Sequence, residues 1–410
     1  MQKAHYSPPW ANTSIIGVAG SSGSGKTSLA LAIIAELSLP WVVIMSMDSF
    51  YKPLTPEQSE QAFRNEYDFD APEAIDFEIL VEKLREIKEG KKAELPVYSF
   101  EKHARLEKTM TIYSPHVLIV EGIFALHDQR VLDMLDLKWF SFVKPYFHKY
   151  VEPQREVADI IVPRGIENKV AISMVSDRIR KTLAYKSKMH QNELKRLGKI
   201  VEDAPLSKNV LVLQQSPQVV GIHTLLMGGD VEREDFIFYF DRVAALLVER
   251  ATECMHYEPQ TVETPTGKTY AGLRQIGETS AVVVLRGGSV LETGLKRVIP
   301  DCRTGRMLIQ TSWRTGEPEL HYRKLPDDIA THERVLLLDP QMSSGGAALM
   351  AVRVLVDHGV PEENIVFVTY YAGKLGVNRM MSVFPGMKVV VGRVVEDLED
   401  RWIERRYLGC

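Results

Sequence analysis

The chain has 410 residues, 45% of them hydrophobic and 25% charged, and carries a formal net charge of −4. That balance fits an ordinary globular protein of two or three domains at ~150 residues each, and leaves no basic footprint for nucleic acid. Cys254, Cys302 and Cys410 are too scattered for a metal site or a disulfide framework, no apolar run is long enough to cross a bilayer, and MQKAHYSPPW has no signal-peptide core. A cytoplasmic protein is expected, with the nucleus as the alternative address.

Ser14 to Ala19 (SIIGVA) predicts a short buried strand and Ser28 to Leu37 (SLALAIIAEL) a helix. Between them, Gly20-Ser21-Ser22-Gly23-Ser24-Gly25-Lys26-Thr27 matches the pattern G-x-x-x-x-G-K-[ST] at every fixed position. The glycines let successive N–H groups converge on phosphate oxygens, and the helix N-terminus adds its positive end. Lys26 would neutralise β/γ-phosphate charge and Thr27 would hold Mg²⁺. A mere Gly/Ser-rich turn leaves the Lys-Thr pair, in register with both flanking elements, unaccounted for. The stretch implies a nucleoside triphosphate site, for ATP or GTP with Mg²⁺.

Trp41 to Met47 (WVVIMSM) reads as a second strand, ending at Asp48 and adjacent to the phosphate-loop strand. Lys52 to Pro72 is polar and aromatic, more a substrate loop than a sheet element. Phe77, Leu80, Val81, Leu84 and Ile87 recur at helical spacing, closed by Gly90. Pro96 to His103 reads as a short strand and turn, Val117 to Val120 as a buried strand ending in Glu121-Gly122, and Asp159 to Val162 as another. A charged helical segment then runs from Asn168 to about Asp203. Strands alternating with helices predict a doubly wound parallel sheet. Asp48 could accept the proton of an attacking hydroxyl and Glu121 could orient Mg²⁺ or its water, because open parallel sheets place ligands at the carboxyl ends of strands. The plain alternative for each is a solvated carboxylate at a sheet edge.

Near Ala204 to Pro217 a Pro- and Ser-containing connector opens a second α/β series, so residues 1–204 and 205–410 are expected to form separate domains. Asp230 to Met255 reads as a long amphipathic helix. Ala281–Leu285, Met307–Thr311, Arg334–Leu338, Asn364–Thr369 and Met387–Val391 read as strands. The third of these ends in Asp339, followed by Ser343-Ser344-Gly345-Gly346 and an apolar helix from Ala347 to Asp357. An acid, a hydroxyl-bearing glycine loop and a helix N-terminus suit a Mg²⁺-bound phosphorylated sugar.

Asp48-Ser49-Phe50-Tyr51, Tyr67-Asp68-Phe69-Asp70-Ala71-Pro72, Pro96-Val97-Tyr98-Ser99-Phe100, His103, Glu121-Gly122-Ile123 and Ile161-Val162-Pro163-Arg164-Gly165 together resemble uridine kinase over about residues 12 to 200. The resemblance implies that Asp48 is the catalytic base for the nucleoside 5′-hydroxyl. It also implies that Tyr51 and Asp70 contact the ribose side and that Tyr98, Phe100 and His103 hold the pyrimidine. Aromatic stacking would supply affinity and one polar edge discrimination, although on a period-2 reading Tyr98 and Phe100 could instead alternate into a core. The family's pattern continues with a further strand and an Arg-rich lid helix over ATP. Here Leu135 to Pro145 runs almost directly into the segment expected after the lid, so the lid is missing near 138–144. Arg130 and Arg155 are the only arginines between Gly122 and Pro163. A cation over the transferring phosphoryl group is worth about three or more orders of magnitude in rate.

From about residue 209 to 410 the chain resembles uracil phosphoribosyltransferase, through Gly221-Ile222-His223-Thr224, Leu285-Arg286-Gly287-Gly288, Gly316-Glu317-Pro318-Glu319-Leu320 and the Asp339 to Gly346 loop. Arg286, Asp339, Ser343, Ser344, Gly345 and Gly346 would form its phosphoribosyl site. The resemblance fails at the base. The family closes with a Pro-Gly-rich hood and a Gly-Asp-Arg-Tyr-Phe-Gly run, whereas this chain has Arg401-Trp402-Ile403-Glu404-Arg405-Arg406-Tyr407-Leu408-Gly409, and Met227 replaces a basic residue. Backbone recognition of a base needs small residues. The second half is therefore expected to fold and to retain a vestigial phosphoribosyl site without making UMP.

The sequence thus implies an α/β protein of two domains, a P-loop doubly wound parallel sheet followed by a phosphoribosyltransferase-like α/β domain. Its expected activity is ATP-dependent phosphorylation of uridine or cytidine in pyrimidine salvage. It would act as a homo-oligomer on a small-molecule nucleoside, with no nucleic-acid or membrane partner. Two alternatives stand beside it: a related P-loop kinase of another small hydroxyl substrate, and a nucleotide-binding regulatory or scaffold protein that has lost lid and hood.

Overall fold

The computed structural model describes residues 3–64, 66–142, 150–163, 168–312, 315–396 and 401–409. It divides into two compact units, one of Pro8–Met189 and one of Met1–Ser7 with His190–Cys410.

The first unit begins with β1 (Ser14–Gly20), α1 (Lys26–Leu37), β2 (Val42–Ser46), α2 (Pro56–Phe63) and α3 (Phe77–Lys88). Two small antiparallel pairings follow: β3 (Ala93–Leu95) with β6 (Met110–Ile112), and β4 (Tyr98–Ser99) with β5 (Ala104–Arg105). Then come β7 (Val117–Gly122), the short α4 (Gln129–Leu132), β8 (Leu137–Phe142), β9 (Ile160–Pro163) and α5 (Lys169–Val201), within which the division between units falls. The main sheet has the order β2-β7-β1-β8-β9 and is parallel throughout. Its strands are covered on both faces, which is why they read as continuous apolar runs. Along β1, Ile15 and Ala19 join one buried cluster while Ile16 and Val18 join the other.

Two sequence expectations need correction here. The strand that leads to Asp48 is not adjacent to the phosphate-loop strand, because β7 lies between them. Asp48 itself sits in a 3-10 turn, Met47–Phe50, just beyond β2. The stretch Lys52 to Pro72 stays outside the main sheet as expected, but it contains α2. That helix starts with a capping box, in which Thr55 Oγ1 accepts the Gln58 N–H and Gln58 Oε1 accepts the Thr55 N–H, and has Pro56 in its first turn. Leu137 to Phe142, within the stretch expected from the sequence to lack a lid, is strand β8 and pairs with β1. Residues 143–149, Arg164 and Gly165 lie outside the described residues.

The second unit contains β10 (Val210–Val212), α6 (Pro217–Met227), α7 (Arg233–Thr252), and an antiparallel ribbon of β11 (Tyr257–Glu263) and β12 (Thr269–Gln275). It continues with β13 (Thr279–Leu285), α8 (Glu292–Val298), β14 (Arg303–Thr311), β15 (Pro318–Lys324), β16 (Arg334–Leu338), β17 (Gln341–Met342) and α9 (Gly346–Asp357). It ends with β18 (Ile365–Gly373), α10 (Lys374–Val383), β19 (Lys388–Val395) and α11 (Ile403–Leu408). Its sheet runs β10-β19-β18-β16-β13-β14-β15, with β17 on β18 and only the β14–β15 pair antiparallel among these. Helices α6 and α7 bury Ile222, Leu226, Phe236, Phe240, Val243 and Leu247 in the same cluster as Val283, Leu336 and Val368 of the sheet.

Candidate active site

In the first unit the phosphate loop leaves β1 at Gly20, whose φ is +152° and whose side-chain position lies 2.3 Å from the carbonyl oxygen of Ser141 on β8. Any larger residue would push the loop off the sheet. Gly23 and Gly25 hold φ of 72° and 78°, so the backbone curls where L side chains are disfavoured. Lys26, 8% exposed at the start of α1, donates to Ser21 O at 2.9 Å across the loop.

A cleft of about 590 Å³ opens at the carboxyl ends of these strands. Its walls bring Ser22, Gly23, Lys26, Thr27, Asp48 and Glu121 together with Tyr51, Phe69, Asp70, Phe100 and His103. Lys26 is its only Lys or Arg among the described residues, facing Asp48, Asp68, Asp70 and Glu121. Burial lowers the Lys26 ammonium, while Glu121, Asp48 and Asp70 oppose that shift. Burial, then Glu121, raise the Asp48 carboxyl, and Lys26 pulls it back. Burial and then Asp68 raise Asp70, whose own N–H is held by the Asp68 carboxylate at 3.0 Å. A protonatable base beside carboxylate and hydroxyl oxygens is the equipment of phosphoryl transfer to an alcohol, and the oxygen donors Thr27 and Glu121 suit a hard divalent cation.

The aromatic side is more layered than the sequence reading. Tyr51 donates to Phe69 O at 3.3 Å, and its own carbonyl accepts from Arg105 Nε at 2.9 Å. Arg105 is held in turn by Asp76 at 3.1 Å, which fixes the β4–β5 hairpin against the turn carrying Asp48. Phe100 and His103 line the cleft. Tyr98 does not; it is buried behind them, packed on Tyr51 at 5.4 Å and on Phe100 at 5.2 Å. His103 has φ 45° and is clamped between two rings that the sequence reading assigned no role: Phe69 stacked at 5.4 Å and 21°, and Phe63 edge-on at 4.8 Å and 79°. Phe69 stood inside the quoted Tyr67–Pro72 motif, and the signal for Phe63 was its position at the end of a capped helix.

In the second unit Asp339 follows β16 and is 2% exposed. Loop residues Ser343 and Ser344 lead to Gly345 and to α9, which starts at Gly346. Ser344 O accepts from Arg379, a buried guanidinium whose pKa burial lowers. Arg286 is exposed at the end of β13. Asp339 is ion-paired with Arg401, which lifts the Arg401 guanidinium above its ordinary value. The C-terminal segment thus does more than fill space: its Arg401 pairs with the acid and opposes the rise that burial imposes on the Asp339 carboxyl.

Residues 15–140 match the model of the phosphoribulokinase / uridine kinase family, and residues 212–408 match that of uracil phosphoribosyltransferase. The chain is 39% identical to a uridine kinase of Schizosaccharomyces pombe, over 99% of this chain and 97% of that protein. It is 37% identical to a uridine-cytidine kinase-like 1 protein of Mus musculus, over 96% of this chain and 78% of that one. With a uridine kinase of Saccharomyces cerevisiae the identity is 35%, over 100% and 91%. The alignment with the fission yeast protein spans 442 positions against 410 residues here, so that relative carries sequence this chain lacks.

Proposed function

The chain belongs to the uridine kinase family, and from that premise we propose how its first unit transfers the γ-phosphoryl group of ATP, or GTP, to the 5′-hydroxyl of uridine or cytidine. The products are UMP or CMP and the nucleoside diphosphate. The observation that carries the reading is the single cleft in which Asp48, Lys26, Thr27 and Glu121 face Asp70, Tyr51, Phe100 and His103. Asp48 takes the proton of the 5′-hydroxyl as its oxygen attacks the γ-phosphorus, and later releases it to solvent. Loop N–H groups and Lys26 hold the β- and γ-phosphates, Asp70 and Tyr51 orient the ribose, and His103 with Phe100 and its aromatic support selects the base. Mg²⁺, held by Thr27 and Glu121, would supply neutralisation of charge on the transferring phosphoryl group. A panel of nucleosides and other small alcohols tests the substrate class: phosphorylation of another alcohol with none of uridine or cytidine would end this reading. Lys26→Ala should lower turnover by about three orders of magnitude, and full retained activity would remove the phosphate loop from the mechanism.

A second reading is favoured by one observation, that Lys26 is the only cation among the described lining residues of a cleft with four carboxylates. On it the chain binds nucleotide without efficient turnover and acts as a regulator or scaffold. ATP binding with no nucleoside-dependent release of ADP would support it. For the second unit we propose a phosphoribosyltransferase-like domain that makes no UMP, and conversion of uracil and phosphoribosyl diphosphate to UMP would refute this. The two described cysteines, Cys254 and Cys302, are buried and unpaired, which supports a reducing compartment such as the cytosol. A homo-oligomer is part of this reading: the β11–β12 ribbon exposes Tyr270 and Leu273 at 61% and 70%, and sedimentation of the intact chain tests it.

A further inference from the structure

By its resemblance the second unit's Asp339 should serve a Mg²⁺-bound sugar diphosphate. Its surroundings do not fit that group. The carboxylate is buried and its ion-pair partner is Arg401, from the segment that replaces the family's hood. The position of a side chain on Gly287 would lie 2.8 Å from Glu404 Oε2, 2.9 Å from an Arg401 guanidinium nitrogen and 3.4 Å from Pro340. Arg401 and Glu404 therefore stand directly against the Arg286–Gly288 turn and the Asp339–Pro340 corner, where a sugar diphosphate would have to enter.

The segment is anchored at several points, so this arrangement is built into the unit. Gln341 Oε1 accepts the backbone N–H of Trp402 at 3.0 Å and of Ile403 at 3.4 Å. Ile403 is fully buried, and the Trp402 ring packs on Phe236 at 6.0 Å and Tyr371 at 6.2 Å. Arg406 donates to Gly228 O and Val231 O at 2.8 Å each and lies 4.9 Å over the Phe236 ring. The Tyr407 hydroxyl donates to Asp241 at 2.7 Å.

A divalent cation needs several oxygen ligands free to converge on it, whereas a guanidinium fixed on Asp339 both occupies the carboxylate and repels a second cation. We propose that Arg401 is the resident cation of this cleft, closing it to a metal-bound sugar diphosphate, and that without its side chain Asp339 and Glu404 form a divalent-cation site. The proposal goes beyond the kinase reading. It rests on the placement of the phosphoribosyl site at Asp339, and UMP formation from uracil by the wild type would refute the closure while leaving that placement standing.

The experiment counts Mn²⁺ bound to the intact chain, with the metal alone as probe, by electron paramagnetic resonance of free Mn²⁺. Relative to the wild type, Arg401→Ala and Arg401→Met should each gain one site per chain, with a dissociation constant on the order of 10⁻⁴–10⁻³ M. Arg401→Met keeps most of the aliphatic stem and guards against simple loss of packing. Adding Asp339→Asn to either variant should abolish the gained site. Folded Arg401 variants with no gained site overturn the proposal, as does a gained site that survives Asp339→Asn. Should neither Arg401 variant melt cooperatively, Asp339→Asn alone decides. Unchanged Mn²⁺ stoichiometry with lowered stability supports the resident cation, and a lost site overturns it.

Discussion

Phe69→Ala is the sharpest probe of the nucleoside half of the cleft. Phe69 lines the cleft, stacks on His103 at 5.4 Å, meets Tyr51 edge-on at 5.6 Å and Tyr67 at 4.8 Å, and its carbonyl holds the Tyr51 hydroxyl. Each aromatic pair is worth about 0.5–1.5 kcal/mol beyond buried area, so three lost pairs release His103, Tyr51 and Tyr67 together. A base resting on an aromatic platform gains about 1–3 kcal/mol from it. Since 1.4 kcal/mol is tenfold in an equilibrium constant, KM for uridine should rise by about ten- to a hundredfold. The ring partners of Phe69 lie outside the phosphate loop, so KM for ATP should stay within about twofold.

The assay is steady-state kinetics with each substrate varied at saturation of the other, together with a thermal melt to establish that the variant is folded. Phe69→Leu, which keeps apolar volume without a stacking face, should fall nearer to Ala than to the wild type. An unchanged KM for uridine, or a loss shared equally between uridine and ATP, would refute the assignment of this wall to the base.

Other outcomes follow from the same geometry. Asp48 must be ionised to accept a proton, and burial with Glu121 raises its carboxyl; activity should therefore fall on acidification at a pH above the ordinary aspartate range. Glu121→Gln removes one raising charge and should move that acid limb to lower pH, besides slowing turnover, and a limb that stays in place would argue against Asp48 as the base. Gly20→Ala forces a side chain to within 2.3 Å of Ser141 O, so ATP binding should be lost by equilibrium dialysis while far-ultraviolet dichroism stays near native. His190, buried, joins the Tyr6 hydroxyl at 2.9 Å and Glu317 at 2.6 Å within the second unit; His190→Ala should cost about 2 kcal/mol or more by urea unfolding, and a change below ~0.5 kcal/mol would show the cluster to be slack.

Much of the kinase half was legible because its signals are local. The phosphate loop is eight contiguous residues between a strand and a helix, and the acids at Asp48 and Glu121 announce strand ends. What was not legible depends on pairings distant in sequence. Nothing in Trp41–Met47 says that β7, some seventy positions later, will insert between it and β1, so the adjacency drawn from chain order was wrong. The clamp on His103 needs the 67–70 turn and the end of α2 folded back over the β4–β5 hairpin, and no periodicity encodes that. Helix α2, by contrast, carried a readable start in Thr55-Pro56-Glu57-Gln58. Strands β11 and β12 are exposed along nearly their whole length, so no alternation of apolar and polar residues marked them. At the C-terminus the bulk of Arg401, Trp402 and Glu404 was plain, but the pairing of Arg401 with an acid 62 residues earlier was not.

The first unit's cleft and the Asp339 site of the second unit are built from the same parts, and their charge balance sets them apart. Each places an acid beyond a parallel strand and a glycine-bearing loop before a helix N-terminus, the arrangement that receives phosphate in open α/β sheets. In the first unit Asp48, Asp68, Asp70 and Glu121 line a cleft with Lys26 as the only cation among its described residues. That excess of negative charge makes room for a divalent cation and disfavours a bare triphosphate, so metal and nucleotide are expected to enter together. In the second unit Asp339 is already matched by a guanidinium of its own chain, and no such demand remains. A side chain that reaches a buried acid in the folded state competes for it intramolecularly, at an effective concentration set by its own chain rather than by the solution. On the proposal above, Arg401 holds Asp339 against a metal-bound ligand, while the first cleft depends on a cation taken up from solution.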